Sequence, residues 1–261
     1  MSFPYDNAAY PLVTSPNEVV PLLRNDVCRA SMLREPAWED GLQAIHDGIH
    51  FAASPPVDLK HKKLMHNREQ IGPLTEERIL REANILGVSI DPQALTLITE
   101  HCNYLRTQFI GFFRELTGDE ERPIFSRLFI NPKGGEGIAP LMHVDDRELV
   151  LHSTFKGASL FIHNGSPLPD YFWMRMDSDR FDPFMMSEYE RAAHLASLRH
   201  STESYAHQFS HSALGDAVIM RGQRGRNLSD PGVTRTVCVH SSSPDIPQEG
   251  QFAIAIYPKM G

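Results

Sequence analysis

The spacing of apolar residues changes at Gly118, and that change narrows the folds open to this 261-residue chain. Before it, Ile98, Cys102, Leu105, Phe109, Phe112 and Leu116 recur at three- and four-residue steps and predict a long helix. Asp91 is a natural N-cap for that helix, Pro92 suits its first position, and Gly118 ends it. A shorter helix is expected from Thr75, acidic in its opening turn, to a stop at Gly87. A further helical pattern surrounds Trp38, Leu42 and Ile45. After Gly118 the runs shorten and suit strands, at 125–130, 149–155, 159–163, 217–220, 234–240 and 252–257. Strands separated by turn signals such as Lys156-Gly157 and Gly215-Asp216 favour an all-β barrel or sandwich.

The expected fold is therefore α+β, a helical N-terminal region packed on a double-stranded β-helix (jelly-roll or cupin-like) core. Its expected parts are a flexible arm over 1–17, a helical region over 18–120 and the barrel over 121–261. The stretch 165–213 interrupts the strand pattern and is read as an insertion across the barrel mouth. Phe172, Trp173, Met174, Phe184 and Met185 could line such a lid or simply anchor it to the core.

Within the strand-rich half, residues 143 to 145 read His-Val-Asp, and His240 lies far downstream after an apolar, β-branched run. Alternate residues of a strand point the same way, so His143 and Asp145 can converge on one ion while Val144 faces away. With His240 they make a 2-His-1-carboxylate set, which takes one face of an octahedral metal and leaves the other open. Two neutral imidazoles and a carboxylate suit Fe(II). Asp146 would replace Asp145 only after a one-residue slip of register. A chance His-x-Asp is common in a chain with 13 histidines, and the flanking strand patterns are what raise this one above the rest.

The other histidines are weaker candidates. His152 and His163 fall on predicted strands and read as interior or surface hydrogen-bonding residues. His46 and His50 stand at i, i+4 spacing without a third partner. His194, His200, His207 and His211 are irregularly spaced within the insertion.

Composition closes several alternatives. A net charge of -8 argues against a broad grip on nucleic acid, with Arg221, Arg224 and Arg226 as a local basic patch only. Cys28, Cys102 and Cys238 are scattered, which fits neither a disulfide framework nor a thiolate zinc site. The opening residues hold no basic-then-apolar segment and no stretch is long enough to span a bilayer, so a cytoplasmic location and no membrane partner are expected. There is no Gly-x-Ser-x-Gly elbow, P-loop or dinucleotide fingerprint. Nothing in the chain fixes an oligomeric state.

The order of motifs resembles the bacterial domain-of-unknown-function family eighteen twenty-six. The residues that carry it are the long helix, Ser126-Arg127-Leu128, His143-Val144-Asp145, Ser153-Thr154-Phe155-Lys156-Gly157-Ala158-Ser159, Gly215-Asp216-Ala217-Val218 and Val239-His240-Ser241-Ser242-Ser243-Pro244, with a weaker match from Val20 to Trp38. That resemblance implies a cupin-like barrel and a metal site, in a family connected with metal handling. The same histidines are similar, more distantly, to those of the 2-oxoglutarate/Fe(II) oxygenase superfamily. There an arginine beyond the late histidine holds the far carboxylate of 2-oxoglutarate, because its planar fork matches a carboxylate. Here Gln251 stands at the approximate position and brings no charge. Arg127 and Arg235 are the basic residues expected to compensate, with Arg147 and Lys259 as further candidates.

The expectation is thus a non-haem Fe(II) oxygenase with 2-oxoglutarate as cosubstrate, hydroxylating or oxidatively rearranging a small molecule. The alternative uses the same His143, Asp145 and His240 in a non-catalytic protein that handles zinc or iron. A third reading is a metal-free scaffold in which the histidines only hydrogen-bond.

Overall fold

In a computed structural model the protein is described over residues 10–25, 28–52, 70–133, 144–163, 208–224, 237–241, 243 and 245–259. The numbering of elements follows the chain. The first half contains β1 (Leu12–Val13), α1 (Val19–Leu23), β2 (Ala30–Leu33), α2 (Glu39–Gly48), β3 (Ile49–Phe51), β4 (Gln70–Ile71), α3 (Glu76–Ile85), β5 (Val88–Ile90) and α4 (Pro92–Thr117). The second contains β6 (Ile124–Asn131), β7 (Leu149–Gly157), β8 (Phe161–His163), β9 (Phe209–His211), β10 (Ala217–Arg221), β11 (His240–Ser241), α5 (Ile246–Glu249) and β12 (Gln251–Pro258).

Both expected helix boundaries have a visible cause. Helix α3 starts at Thr75, whose hydroxyl accepts from the Arg78 N–H at 3.3 Å. Helix α4 starts with Asp91 extended and Pro92 in the first position, and Gly118 closes it in the left-handed region, where its N–H donates to the Arg114 carbonyl. The inner face of α4 buries Ile98, Cys102, Leu105, Phe109, Phe112 and Phe113. At roughly 1.5–3 kcal/mol per large apolar side chain removed from water, this face anchors the helical layer.

The fold is a mixed α/β arrangement in layers. A seven-stranded sheet runs β1-β2-β10-β7-β12-β6-β4, antiparallel at every junction except the parallel β1–β2 pair. Its first face packs against the helices, with Leu128, Leu151, Phe155, Ile219, Phe252, Ile254 and Ile256 meeting the α4 side chains in one core. Its second face turns Val150, Val218, Met220, Ala255 and Tyr257 toward Leu160, Ile162 and Cys238. A small antiparallel sheet, β11-β8-β9, lies in that second layer, and β3 and β5 pair separately. Among the described residues, no helix is long and apolar enough to cross a membrane.

Strand β12 shows how sequence sets this layering. It lies between β6 and β7 and is buried along its whole length. Its large residues Phe252, Ile254 and Ile256 point to the helices, while Gln251, Ala253, Ala255 and Tyr257 alternate to the other side. Two alanines on the inner face leave room there. The chain also needs glycine at Gly157, which has φ +78° and where a Cβ would lie 2.3 Å from the Gly250 carbonyl oxygen.

Two expectations need correction. Residues 10–17 are not a loose arm: Tyr10 is 1 % exposed, β1 pairs with β2, and the Pro11 carbonyl accepts from the Met32 N–H at 2.9 Å. Residues 18–120 are not purely helical either, since β2 and β4 extend the large sheet. The segment Ala-Ser-Met-Leu of β2 has no β-branched residue; pairing with β10 makes it a strand. Residues 1–9 and 164–207, and with them most of the expected insertion, lie outside the described residues.

Candidate metal site

Of the three expected metal ligands, the structure describes Asp145 and His240 and brings them together. The Asp145 Oδ2 and His240 Nε2 atoms are 3.4 Å apart. His143 lies outside the described residues. Asp145 precedes β7 in a stretch that is not strand, and His240 opens β11. His240 is fixed by the pairing of β11 with β8, opposite Ile162, and its ring is 5 % exposed.

Asp145 is held by its backbone. Its carbonyl accepts from the Gln223 N–H at 2.9 Å, and the Arg147 carbonyl accepts from the Arg224 N–H at 3.3 Å. This laces residues 145–148 to the chain leaving β10. Asp146 also lines the cavity described below, because the stretch is not a regular strand and the alternation expected to turn it away does not apply.

The ring orientation of His240 bears on what fits between these two groups. Its Nδ1 faces the Cys238 carbonyl at 3.4 Å and can donate there. That tautomer leaves the Nε2 lone pair directed at a carboxylate oxygen, an opposition that a cation between them removes. The donor set, one carboxylate and one imidazole with their lone pairs converging, fits a divalent first-row metal. Among the described residues, no group of three His, Cys, Asp or Glu side chains is assembled.

These two residues open onto a cavity of about 350 Å³ between the two sheets. Its floor is the inner face of the large sheet, and the register orders it. Arg127 on β6 stands opposite Ala255 on β12, which stands opposite His152 on β7, which stands opposite Val218 on β10. Phe129, Val150, Leu160, Met220 and Tyr257 supply apolar walls, and Arg147 lies over the Tyr257 ring at 5.2 Å.

His152 is a cavity residue that sequence reasoning set aside as a generic interior histidine. Its Nδ1 is buried with no hydrogen-bond partner. Burial pushes its pKa down to about 4, the neighbouring His240 adds to that, and Asp145 opposes it, so the ring is neutral near pH 7. The available signal was a lone polar ring in an apolar strand, on the same side as Val150.

The expected cosubstrate residues have different fates. Arg127 lines the cavity, its Cζ 4.7 Å from the Phe129 ring centroid and its Nε buried without a hydrogen-bond partner. Gln251 also reaches the cavity, but its amide is engaged. Its Oε1 accepts from Asn131 at 2.8 Å and its Nε2 donates to the Ala158 carbonyl at 2.9 Å. Arg235 lies outside the described residues. Lys259 is exposed beyond β12.

Other histidines are accounted for locally. His163 is buried against Gln208 at 3.1 Å, and burial lowers its pKa to about 4. His46 and His50 do not share a helix, because α2 ends at Gly48; they face Asp47 and Asp91 instead. His211 faces Asp245 at 3.4 Å, and His194, His200 and His207 lie outside the described residues. All three cysteines are buried and free.

No family model matches this chain, and no curated protein does. Solved structures do resemble it. A rice dioxygenase for auxin oxidation overlaps 93 % of this chain and 77 % of its own at 10 % identity, with a TM-score of 0.41. The Arabidopsis thaliana dioxygenase for auxin oxidation 1, in complex with 2-oxoglutarate, overlaps 96 % of this chain and 92 % of its own at 8 % identity, with a TM-score of 0.43. A 2OG-Fe(II) oxygenase family oxidoreductase from Burkholderia pseudomallei covers 94 % and 91 % at 11 % identity, with a TM-score of 0.34.

Proposed function

We propose that this chain is a non-haem Fe(II)-dependent oxygenase of the 2-oxoglutarate type that hydroxylates or oxidatively rearranges a small molecule. The observation that carries the reading is the approach of Asp145 Oδ2 to His240 Nε2, at 3.4 Å, on the wall of an inter-sheet cavity. His143, two residues before Asp145, completes the ligand set on sequence grounds.

The strand order supports a double-stranded β-helix as the frame. In the large sheet β6, β12, β7 and β10 are successive neighbours, and in the small one β11, β8 and β9 are. The strand before β7 in such a winding would start with the residues around His143. Interleaving early and late strands is what brings Asp145 and His240, far apart in sequence, to one place.

The chain's own residues have definable tasks. Asp145 and His240 would hold Fe(II), with the Cys238 carbonyl fixing the imidazole so that Nε2 faces the ion. Bound Fe(II) would supply the dioxygen and C–H chemistry that side chains lack. Phe129, Val150, Leu160 and Met220 keep the cavity apolar and limit water beside the reacting groups. His152, neutral at pH 7, adds no cationic charge next to the metal-binding pair.

The test is anaerobic Fe(II) binding by the wild type and by Asp145→Ala and His240→Ala, followed by 2-oxoglutarate titration read as the visible metal-to-ligand charge-transfer band. A stoichiometric ion and a band, both lost in the variants, support the oxygenase. Metal bound through these residues without a band points to metal handling instead. Equal or absent metal binding in all three proteins rejects the site.

A further inference from the structure

We propose that the cavity is a carboxylate-binding site in which Arg127, on β6, grips the ligand's carboxylate while the ligand lies over Ala255 and takes a hydrogen bond from His152. The proposal places charge recognition in the middle of β6 and not at the head of β12. It deepens the oxygenase reading and rests on it only for the ligand's identity, a small dicarboxylic oxo-acid.

Three observations carry it. The first is the register: Arg127, Ala255 and His152 stand in one row across three adjacent strands, all lining the cavity. Strands lie about 4.8 Å apart, so the outer two backbones are roughly 10 Å apart with only a methyl group between them. A small ligand fits in that gap. The second is polar demand. The Arg127 Nε and the His152 Nδ1 are both buried without a hydrogen-bond partner, whereas Arg34, Arg78 and Arg122 each pair with a carboxylate. Among the described residues no carboxylate pairs with Arg127. A guanidinium presents parallel N–H donors that match a carboxylate, and an imidazole adds a single directional bond. The third is the engagement of Gln251, whose amide already bridges Asn131 and the Ala158 carbonyl and so is not available as the anchor.

Stacking on Phe129 holds the guanidinium plane over the cavity floor without neutralising it. Ala255 then sets the clearance above the sheet.

The test is calorimetric titration of two probes. Glutarate, which has both carboxylates but no 2-oxo group, is titrated into metal-free protein, and 2-oxoglutarate into the Mn(II)-loaded protein. Expected is binding of both by the wild type, weakened roughly tenfold or more by Arg127→Gln as charge-assisted hydrogen bonds are lost. Arg127→Lys should recover only part, because an ammonium lacks the fork. Ala255→Leu should block both probes by filling the gap, with thermal unfolding confirming that each variant folds. Unchanged affinity in Arg127→Gln, or no binding of either probe to the wild type at millimolar concentration, overturns the proposal. Arg127-dependent glutarate binding in a protein that binds no metal upholds it while removing the oxygenase reading.

Discussion

Gly222 lies so close beneath Asp145 that a Cβ on it would sit 2.5 Å from the Asp145 carbonyl oxygen and 2.0 Å from that of Arg147. Both contacts are to backbone, which cannot rotate away as a flexible side chain can. The missing methyl is therefore a condition for the position of Asp145. The Gly222 N–H also donates to the Glu148 carbonyl at 3.2 Å, so the two segments are laced at several points.

Gly222→Ala should accordingly displace Asp145 while leaving the rest of the large sheet intact. Overpacking of this kind costs typically about 1–3 kcal/mol. Disturbing the support of a metal ligand typically costs about 10–100-fold in metal affinity. Thermal unfolding and Mn(II) titration measure the two effects. Wild-type metal affinity in a folded Gly222→Ala protein would show that Asp145 is not positioned by this contact.

Gln251 gives a second test, of a structural role against a cosubstrate role. Its amide satisfies buried groups on β6 and in the β7–β8 connection, and it is 5 % exposed. In Gln251→Ala the Asn131 amide and the Ala158 carbonyl lose their partner. Each buried group left unpaired costs about 1–3 kcal/mol, so the unfolding midpoint should fall by several degrees. The affinity for 2-oxoglutarate should stay near the wild-type value. A large loss of that affinity with little change in stability would reverse the assignment and make Gln251 the anchor.

What the residues disclosed in advance depends on where their signal lay. The boundaries of α3 and α4 were legible because Thr75, Pro92 and Gly118 act on their own neighbours. Strands β6, β7, β10 and β12 were legible because their apolar and β-branched runs are long. Strand β2 was not, since Ala30–Leu33 becomes a strand only through pairing with β10, distant in sequence. The pairing of Asp145 with His240 followed from alternation and chemistry, but Asp146 entered the cavity because the backbone there is irregular. The engagement of Gln251 by Asn131 was invisible, because it needs the register of β6 against β12.

Arg34 and Asp216 make a third prediction. The guanidinium donates to both carboxylate oxygens, at 2.7 and 2.8 Å, and Asp216 is 1 % exposed. Burial raises the Asp216 pKa and the Arg34 bonds counter it. Arg34→Ala leaves that buried carboxylate without its bidentate partner, a loss of roughly 3–5 kcal/mol. The double variant Arg34→Ala, Asp216→Ala should recover part of it, since the uncompensated charge goes too. Urea unfolding at pH 7 measures both. A single variant as stable as the wild type would mean that Asp216 takes up a proton, or another partner, without penalty.

His101 predicts how stability depends on pH. It sits on the inner face of α4, 3 % exposed, its ring 4.4 Å from that of Trp38 and 5.7 Å from that of Phe155. Neither ring nitrogen has a hydrogen-bond partner, and burial pushes the pKa down to about 4. In the unfolded chain it returns to about 6.5. Between these values the unfolded state binds the proton and the folded state does not. The contribution of neutral burial is therefore complete above about pH 6.5 and is lost as pH falls toward 4. At about 1.4 kcal/mol per pH unit of difference, the loss approaches roughly 2 kcal/mol at pH 5 and 3 kcal/mol near pH 4. His152 and His163, also lowered to about 4, act in the same direction, so the effect has to be read as a difference between proteins. His101→Phe keeps an aromatic ring in the cluster and removes the titration. Its unfolding free energy relative to wild type should rise by roughly 2 kcal/mol between pH 7 and pH 5 in urea titrations. A difference that does not change with pH would mean that His101 gains its proton inside the folded protein at an ordinary pKa.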